Sequence, residues 1–213
     1  MNKLLLAAPV VALCFATPAF AQAASGLRAE VRAGWDRVDV EADYDDGDDA
    51  IGGSGHENGL TYGAEVGYDA AIGSSFTVGA YAGVDLATTK FCAEVFGDDE
   101  GCLKAGRNFT FGLRAGVPVG AASLVYVKGG YTNGRLGVEY NDFEDILPSF
   151  NASENLDGLH VGAGLEFGLA AGTYAKVEYV FTTYGSGERV REDFTAAFDT
   201  GRHQLRAGIG LRF

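Results

Sequence analysis

The sequence predicts an all-β fold, an eight-stranded antiparallel up-and-down transmembrane barrel with its apolar face outward. Three observations predict it. Leu205, Ala207, Ile209, Leu211 and Phe213 are apolar at every second position, and this period of two recurs in about eight segments. Each segment is about 9–11 residues long, which is what a tilted strand needs to cross hydrocarbon. The connections alternate between short, small-residue turns and long acidic loops, the arrangement of barrels with short periplasmic turns and long external loops.

The strands follow in order. In the first, Leu27, Ala29, Val31, Ala33 and Trp35 share a face opposite Arg28, Glu30, Arg32, Gly34 and Asp36. The second sets Leu60, Tyr62, Ala64, Val66 and Tyr68 against Thr61, Gly63, Glu65, Gly67 and Asp69. The third sets Phe76 to Leu86 at even positions against Thr77, Gly79, Tyr81, Gly83 and Asp85, and the fourth sets Phe109 to Val117 at odd positions against Thr110, Gly112, Arg114 and Gly116. In the fifth, Val125, Val127, Gly129 and Tyr131 oppose Tyr126, Lys128, Gly130 and Thr132. The sixth opposes Leu159, Val161, Ala163, Leu165 and Phe167 to His160, Gly162, Gly164 and Glu166. The seventh opposes Ala175, Val177, Tyr179 and Phe181 to Lys176, Glu178, Val180 and Thr182. In the eighth, Gln204, Arg206, Gly208, Gly210 and Arg212 take the polar face.

Short turns are expected at residues 70–75, 118–122 and 170–172, and long loops at about 39–59, 88–106, 133–157 and 183–201. Residues 1–21 form a cleaved signal peptide: Lys3 carries the charge, an apolar run follows, and Ala19-Phe20-Ala21 is the cleavage site. Leu13 before Cys14 argues against lipidation there. Residues 22–213 then make one domain. Of four prolines, Pro9 and Pro18 leave with the signal, and Pro118 and Pro148 fall in a turn and a loop.

The formal charge is −13, which excludes a nucleic-acid partner. Cys92 and Cys102 are the pair left after signal removal and are expected to form a disulfide in an exported chain. The first loop holds Asp43, Asp45, Asp46, Asp48 and Asp49. Their spacing is not that of an EF-hand, so a hydrated acidic loop is expected in place of a calcium site. No cofactor or metal is expected. Trp35, Tyr62, Phe109, Tyr131 and Phe181 lie at the loop ends of outward faces, and Tyr68, Phe76, Phe167 and Phe213 at the turn ends, as two aromatic girdles would.

The chain resembles the small eight-stranded outer-membrane barrels, comprising the OmpA-like transmembrane domain and the opacity-type surface antigens of the porin family. The resemblance spans 22–213 and rests on Tyr126-Val127-Lys128-Gly129-Gly130-Tyr131, Ala175-Lys176-Val177-Glu178-Tyr179 and Leu211-Arg212-Phe213. It implies a monomer in a Gram-negative outer membrane, with outer-membrane lipid and lipopolysaccharide as surroundings. It also implies recognition of Phe213 by the barrel-assembly machinery, and a structural, surface-facing role. Some relatives carry a peptidoglycan-binding domain after the barrel; none follows Phe213 here, so cell-wall anchoring is not expected.

An eight-stranded barrel is just wide enough for side chains to fill. The inward faces carry Arg28, Arg32, Arg114, Lys128, Lys176, Arg206 and Arg212, and also Glu30, Asp36, Glu65, Asp69, Asp85, Glu166 and Glu178. Buried charges must pair. A lumen closed by an ionic network is therefore expected; the alternative is a narrow porin passing small solutes. A lipid-modifying enzyme is the third reading and is disfavoured. Only His56, His160 and His203 are available as a base, and no serine neighbours His203 across the pleat. A soluble lipid-binding barrel would put apolar residues inside, whereas here glycines and charges share one face.

Overall fold

The computed structural model describes residues 25–45, 50–94, 100–120, 122–141, 150–170, 172–191 and 194–213. The signal peptide lies outside these residues, as do Asp46, Asp48, Asp49, Pro148 and the side chains of Asp43 and Asp45. Nine strands run in chain order: β1 (Gly26–Asp45), β2 (Ala50–Ile72), β3 (Phe76–Ala87), β4 (Lys90–Glu94), β5 (Glu100–Val119), β6 (Ser123–Asn141), β7 (Phe150–Gly168), β8 (Thr173–Arg191) and β9 (Phe194–Arg212). No helix occurs among the described residues.

Every pairing is antiparallel. The β1–β9 ladder, from Arg28↔Arg212 to Asp45↔Thr195, closes the sheet on itself. β3 and β4 share one place in the ring, because both pair with β5: β3 from Thr77↔Gly116 to Asp85↔Asn108, β4 from Lys90↔Lys104 to Glu94↔Glu100. The result is an eight-stranded closed barrel, sealed through the β1–β9 and β3–β5 ladders. The break between β3 and β4 brings Thr89 against Gly59, where a Cβ would stand 2.4 Å from the Thr89 hydroxyl. β5 carries a bulge between Ala105 and Asn108, and β8–β9 carries one between Tyr184 and Gly187.

The strands are longer than their alternation indicates. Apart from β3 and β4 they run 19–23 residues. Residues 39–59 are not an open loop: β1 and β2 stay paired to Asp45↔Ala50. Likewise β5–β6 pairs to Glu100↔Asn141, β6–β7 to Tyr140↔Phe150, and β8–β9 to Arg191↔Phe194. The physical reason is that alternation marks only the part of a strand with one apolar face. Beyond the girdle the odd-position apolar face of β1 ends while the ladder hydrogen bonds continue. Pro118 also lies within β5, opposite Leu124, one residue from the strand end, where a missing N–H costs little. In the short turns, Gly73 and Gly120 have φ of 63° and 66°, with no atom within 4 Å of a would-be Cβ. The left-handed backbone alone therefore selects glycine there.

The barrel is inside-out relative to a soluble domain. The buried set is mainly charged and hydroxylic, while the large aliphatic residues are exposed: Leu113 is 70% exposed, Leu159 64% and Leu60 63%. Leu113 lies between Phe109 near the loop end and Val117 near the turn. Leu113→Arg is expected to destabilise the barrel in lipid vesicles by about 2–4 kcal/mol, the cost of a cation on a lipid face near midplane. An unchanged urea midpoint would mean that Leu113 does not face hydrocarbon.

Candidate functional site

The inward faces converge on three layers of polar side chains. The central layer is organised by Glu65 of β2, 2% exposed. It accepts from Arg28 Nη1 at 2.7 Å, from Lys128 Nζ at 2.7 Å, and from Arg32 Nη1. Arg32 also grips Asp85 bidentately, Nε to Oδ1 at 2.8 Å and Nη2 to Oδ2 at 2.7 Å. Arg206 Nη1 donates to the same Asp85 oxygen at 3.0 Å, and its Nη2 lies 2.8 Å from Glu178 Oε1. Lys176 bridges Glu30 and Glu178, with Nζ 3.2 Å from Glu178 Oε1. This is a lattice in which each charge meets at least two of the opposite sign, the condition for a buried ion pair to offset its desolvation.

The layer nearer the turns is built on Asp69 and Glu166. Arg114 donates to Asp69 through Nε at 2.8 Å and Nη2 at 2.5 Å, and reaches Glu166 at 3.2 Å. Arg212 Nη2 bridges the same two carboxylates at 3.0 and 2.7 Å. The layer nearer the loops centres on Asp36. It accepts from Arg202 Nε at 2.6 Å, from Gln204 Nε2 at 3.0 Å, and from the Thr89 hydroxyl.

Tyrosines fill the rest of the bore. Tyr126 donates to Glu178 at 2.9 Å and Tyr174 to Glu30 at 2.7 Å. The Tyr81 hydroxyl meets His160 Nε2 at 2.5 Å, and Lys128 Nζ sits 4.1 Å from the Tyr81 ring centre. Each tyrosine lies across the ladder from glycine: Tyr81↔Gly112, Tyr126↔Gly164, Tyr174↔Gly210. A Cβ on Gly164 would stand 2.6 Å from the Tyr126 ring, and one on Gly210 would stand 2.5 Å from that of Tyr174. The glycines are thus the space into which the long side chains fold.

Arg28, Glu30, Arg32, Glu65, Asp85, Arg114, Lys128, Glu166, Lys176, Glu178 and Arg206 all lie buried inside the barrel in these two lower layers. A terminal strand that begins at Gln204 misses Arg202, and the role of the tyrosines is not legible in the strand pattern. Continuing its alternation two residues upstream places Arg202 in phase with Gln204 and Arg206. With Arg202, eight lumenal cations face seven lumenal carboxylates among the described residues, in a chain of formal charge −13. The excess negative charge therefore lies outside the lumen.

On the outer face, Trp35, Tyr62 and Phe109 are exposed at one end, and Tyr68, Phe76, Phe167 and Phe213 at the other. Tyr131 and Phe181 are half-buried at the loop end. There the polar tips turn toward the loops: Trp35 Nε1 donates to Asn58 Oδ1 at 3.1 Å, and the Tyr131 hydroxyl to Asp157. His203 is on this outer face, with Nδ1 2.6 Å from the Tyr179 hydroxyl and Nε2 3.5 Å from Asp39. Cys92 and Cys102 are bonded, directly opposite in the β4–β5 ladder.

A polar lumen, an apolar exterior and a closed ring of eight strands form the architecture of a barrel that crosses lipid. The comparisons agree. Neisserial surface protein A superposes with a TM-score of 0.50 at 13% identity, covering 90% of this chain and all of the other. The outer membrane protease OmpT from Escherichia coli superposes with a TM-score of 0.53 at 10% identity, covering 92% and 99%. At such identities the likeness concerns the fold alone. No curated protein matches the chain in sequence. The model of the outer membrane protein beta-barrel domain matches residues 7–213. With the inverted burial and closed eight-strand ring, that match makes the chain a member of the outer membrane protein beta-barrel domain family, located in the bacterial outer membrane.

Proposed function

We infer that this barrel serves as a structural, surface-facing component of the outer membrane, with its lumen sealed by the ionic network. The observation that carries this reading is the node at Glu65. Carboxylate, two guanidiniums and an ammonium meet across the bore from β1, β2 and β6, and all four are buried. A bore this narrow offers little volume beyond its side chains, and glycines opposite the tyrosines let those side chains meet at the axis. A passing ion would have to break several charge-assisted bonds at once.

Among the described residues, no serine hydrogen-bonds His160 or His203. His203 contacts a tyrosine and an aspartate, and His160 is spent on Tyr81. We therefore read the protein as a non-enzymatic barrel. Planar-bilayer recording on refolded protein tests the sealed lumen. The expected trace has no sustained channel steps, and a steady conductance of general-porin size would overturn the reading.

A further inference from the structure

Beyond the girdle the ring stops being one continuous sheet. The β2–β3 ladder ends at Thr61↔Ala87, and no ladder joins β2 to β4 among the described residues. The β7–β8 ladder ends at Gly158↔Tyr184. The other ladders run on, so the wall divides into two four-stranded sheets, β2-β1-β9-β8 and β4-β5-β6-β7. Each division leaves strand edges without a ladder partner among the described residues. The division beside β2 starts at Thr88 and Thr89, which step the chain from β3 to β4, and the Thr89 hydroxyl turns in to Asp36.

The β2 edge is the one suited to accept a strand. In an antiparallel pair the N–H and C=O of one residue point to the same side, and the side alternates along the strand. Leu60 turns both toward β3: its carbonyl accepts from Thr88 N at 2.9 Å, and its N–H donates to the Thr88 hydroxyl at 3.0 Å. The β1–β2 register has no bulge, so Asn58, His56, Ser54 and Gly52 turn their backbone groups to that same side, away from β1. Ser54, His56 and Asn58 are exposed. Natural edges are blunted by Lys, Pro or a bulge. Gly52-Gly53-Ser54-Gly55-His56-Glu57-Asn58 has none of these, and its glycines leave the backbone uncovered. The other edges differ. β8 carries the bulge between Tyr184 and Gly187, β4 is five residues long, and Arg107 and Arg135 bond to Asn155 and Ser153 of β7. Charge then selects the partner. Residues 38–59 hold eight Asp and Glu and no Lys or Arg. A chain lying along this edge meets a field of one sign, which attracts a cationic partner and repels a second copy of a chain of formal charge −13.

We propose that the backbone edge of β2 from Gly52 to Asn58 takes an extended cationic peptide as an added antiparallel strand. This rests on the surface-facing reading, in which the long hairpins point outward. In strand addition the main-chain hydrogen bonds supply the affinity, so extension and charge define this partner more than any fixed sequence.

The test is fluorescence anisotropy of a labelled peptide of alternating Lys and Thr, about ten residues long as an ordinary strand is. It is titrated with the refolded full-length barrel in uncharged detergent, and heat-shifted gel mobility confirms that each variant is folded. Saturable binding is expected. The same peptide N-methylated throughout keeps its charge but cannot donate along an edge, and should bind about tenfold or more weakly. His56→Pro should weaken binding of the parent peptide by a similar factor and still fold, because that N–H points away from β1. His56→Ala keeps the backbone donor and should bind as the wild type does. A peptide with Glu in place of Lys should not bind. Absence of saturable binding, equal binding of the methylated peptide or by His56→Pro, a loss in His56→Ala as large as in His56→Pro, or binding of the Glu peptide would each overturn the proposal. So would self-association of the wild-type barrel that His56→Pro abolishes, which would assign the edge to a second copy. Binding to purified protein reads the edge whichever way it faces. Binding of the same peptide to intact cells, lost with His56→Pro, reads its exposure outside, and conductance reads the lumen, so the readings fail separately.

Discussion

Glu65→Gln is expected to lower the stability of the folded barrel by about 3–5 kcal/mol, the range for removing one partner of a buried ionic cluster. Glutamine keeps the shape of the side chain and removes only its charge. Arg28, Arg32 and Lys128 would then share a bore already holding eight cations and seven carboxylates among the described residues. Most of the loss comes from stranding these cations away from water, and less from the attraction itself. A companion change should therefore recover part of it. Glu65→Gln with Lys128→Met removes one charge of each sign, and should be less destabilised than the sum of the two single variants. Urea titration in micelles or vesicles, followed by heat-modified gel mobility, measures both. Strictly additive effects would show that Glu65 and Lys128 do not act as a pair. The same variant bears on transport: if the network seals the bore, Glu65→Gln should conduct more than wild type in planar bilayers.

Gly130→Ala and Gly129→Ala, neighbours in sequence, are expected to differ sharply. Gly130 faces inward, and a Cβ there would stand 2.1 Å from the Phe111 carbonyl oxygen and 2.5 Å from the Gly112 Cα. Those are backbone atoms, which cannot swing aside. Gly129 faces outward, and its nearest neighbour would be the His160 carbonyl oxygen at 3.4 Å, an ordinary contact. Gly130→Ala should cost about 1–3 kcal/mol or more, as overpacking does. Gly129→Ala should be close to neutral, or slightly stabilising through the unfolded chain. The pair is a controlled comparison of packing, because strand, layer and chemistry are shared. Equal losses would mean that intrinsic strand propensity, and not crowding inside the bore, places glycine at 130.

The two variants probe parts of the fold that differ in legibility. That Gly130 and Glu65 point inward follows from the period of two. That Glu65 meets Arg28, 37 residues away, and that Asp36 meets Arg202, 166 residues away, does not. Several carboxylates are equidistant in pattern from each cation, and the choice among them depends on how far each strand is staggered against the next. The tyrosines show the same limit. Their inward phase is readable, but their fit into glycine opposite is a property of the register, such as Tyr126↔Gly164. The long hairpins escaped the strand pattern for another reason. Val38, Val40, Ala42 and Tyr44 still alternate with Asp39, Glu41, Asp43 and Asp45, but in the phase opposite to Leu27–Trp35, so the run does not read as a continuation of the lipid-facing strand although its ladder continues. The phase of Lys104 is further still from the sequence, because the bulge between Ala105 and Asn108 reverses it.

By itself the sequence determined the strand count, the hand of the greasy side, the turn positions and the inward set of charges. These depend on local periodicity and on composition, which every stretch of chain carries within itself. The tertiary structure alone decided which charges pair, how far the strands rise beyond the hydrocarbon-length core, and which face the residues beyond a bulge present. Those depend on stagger between strands distant in the chain. Stagger is set by closing the ring, so no single segment holds the information.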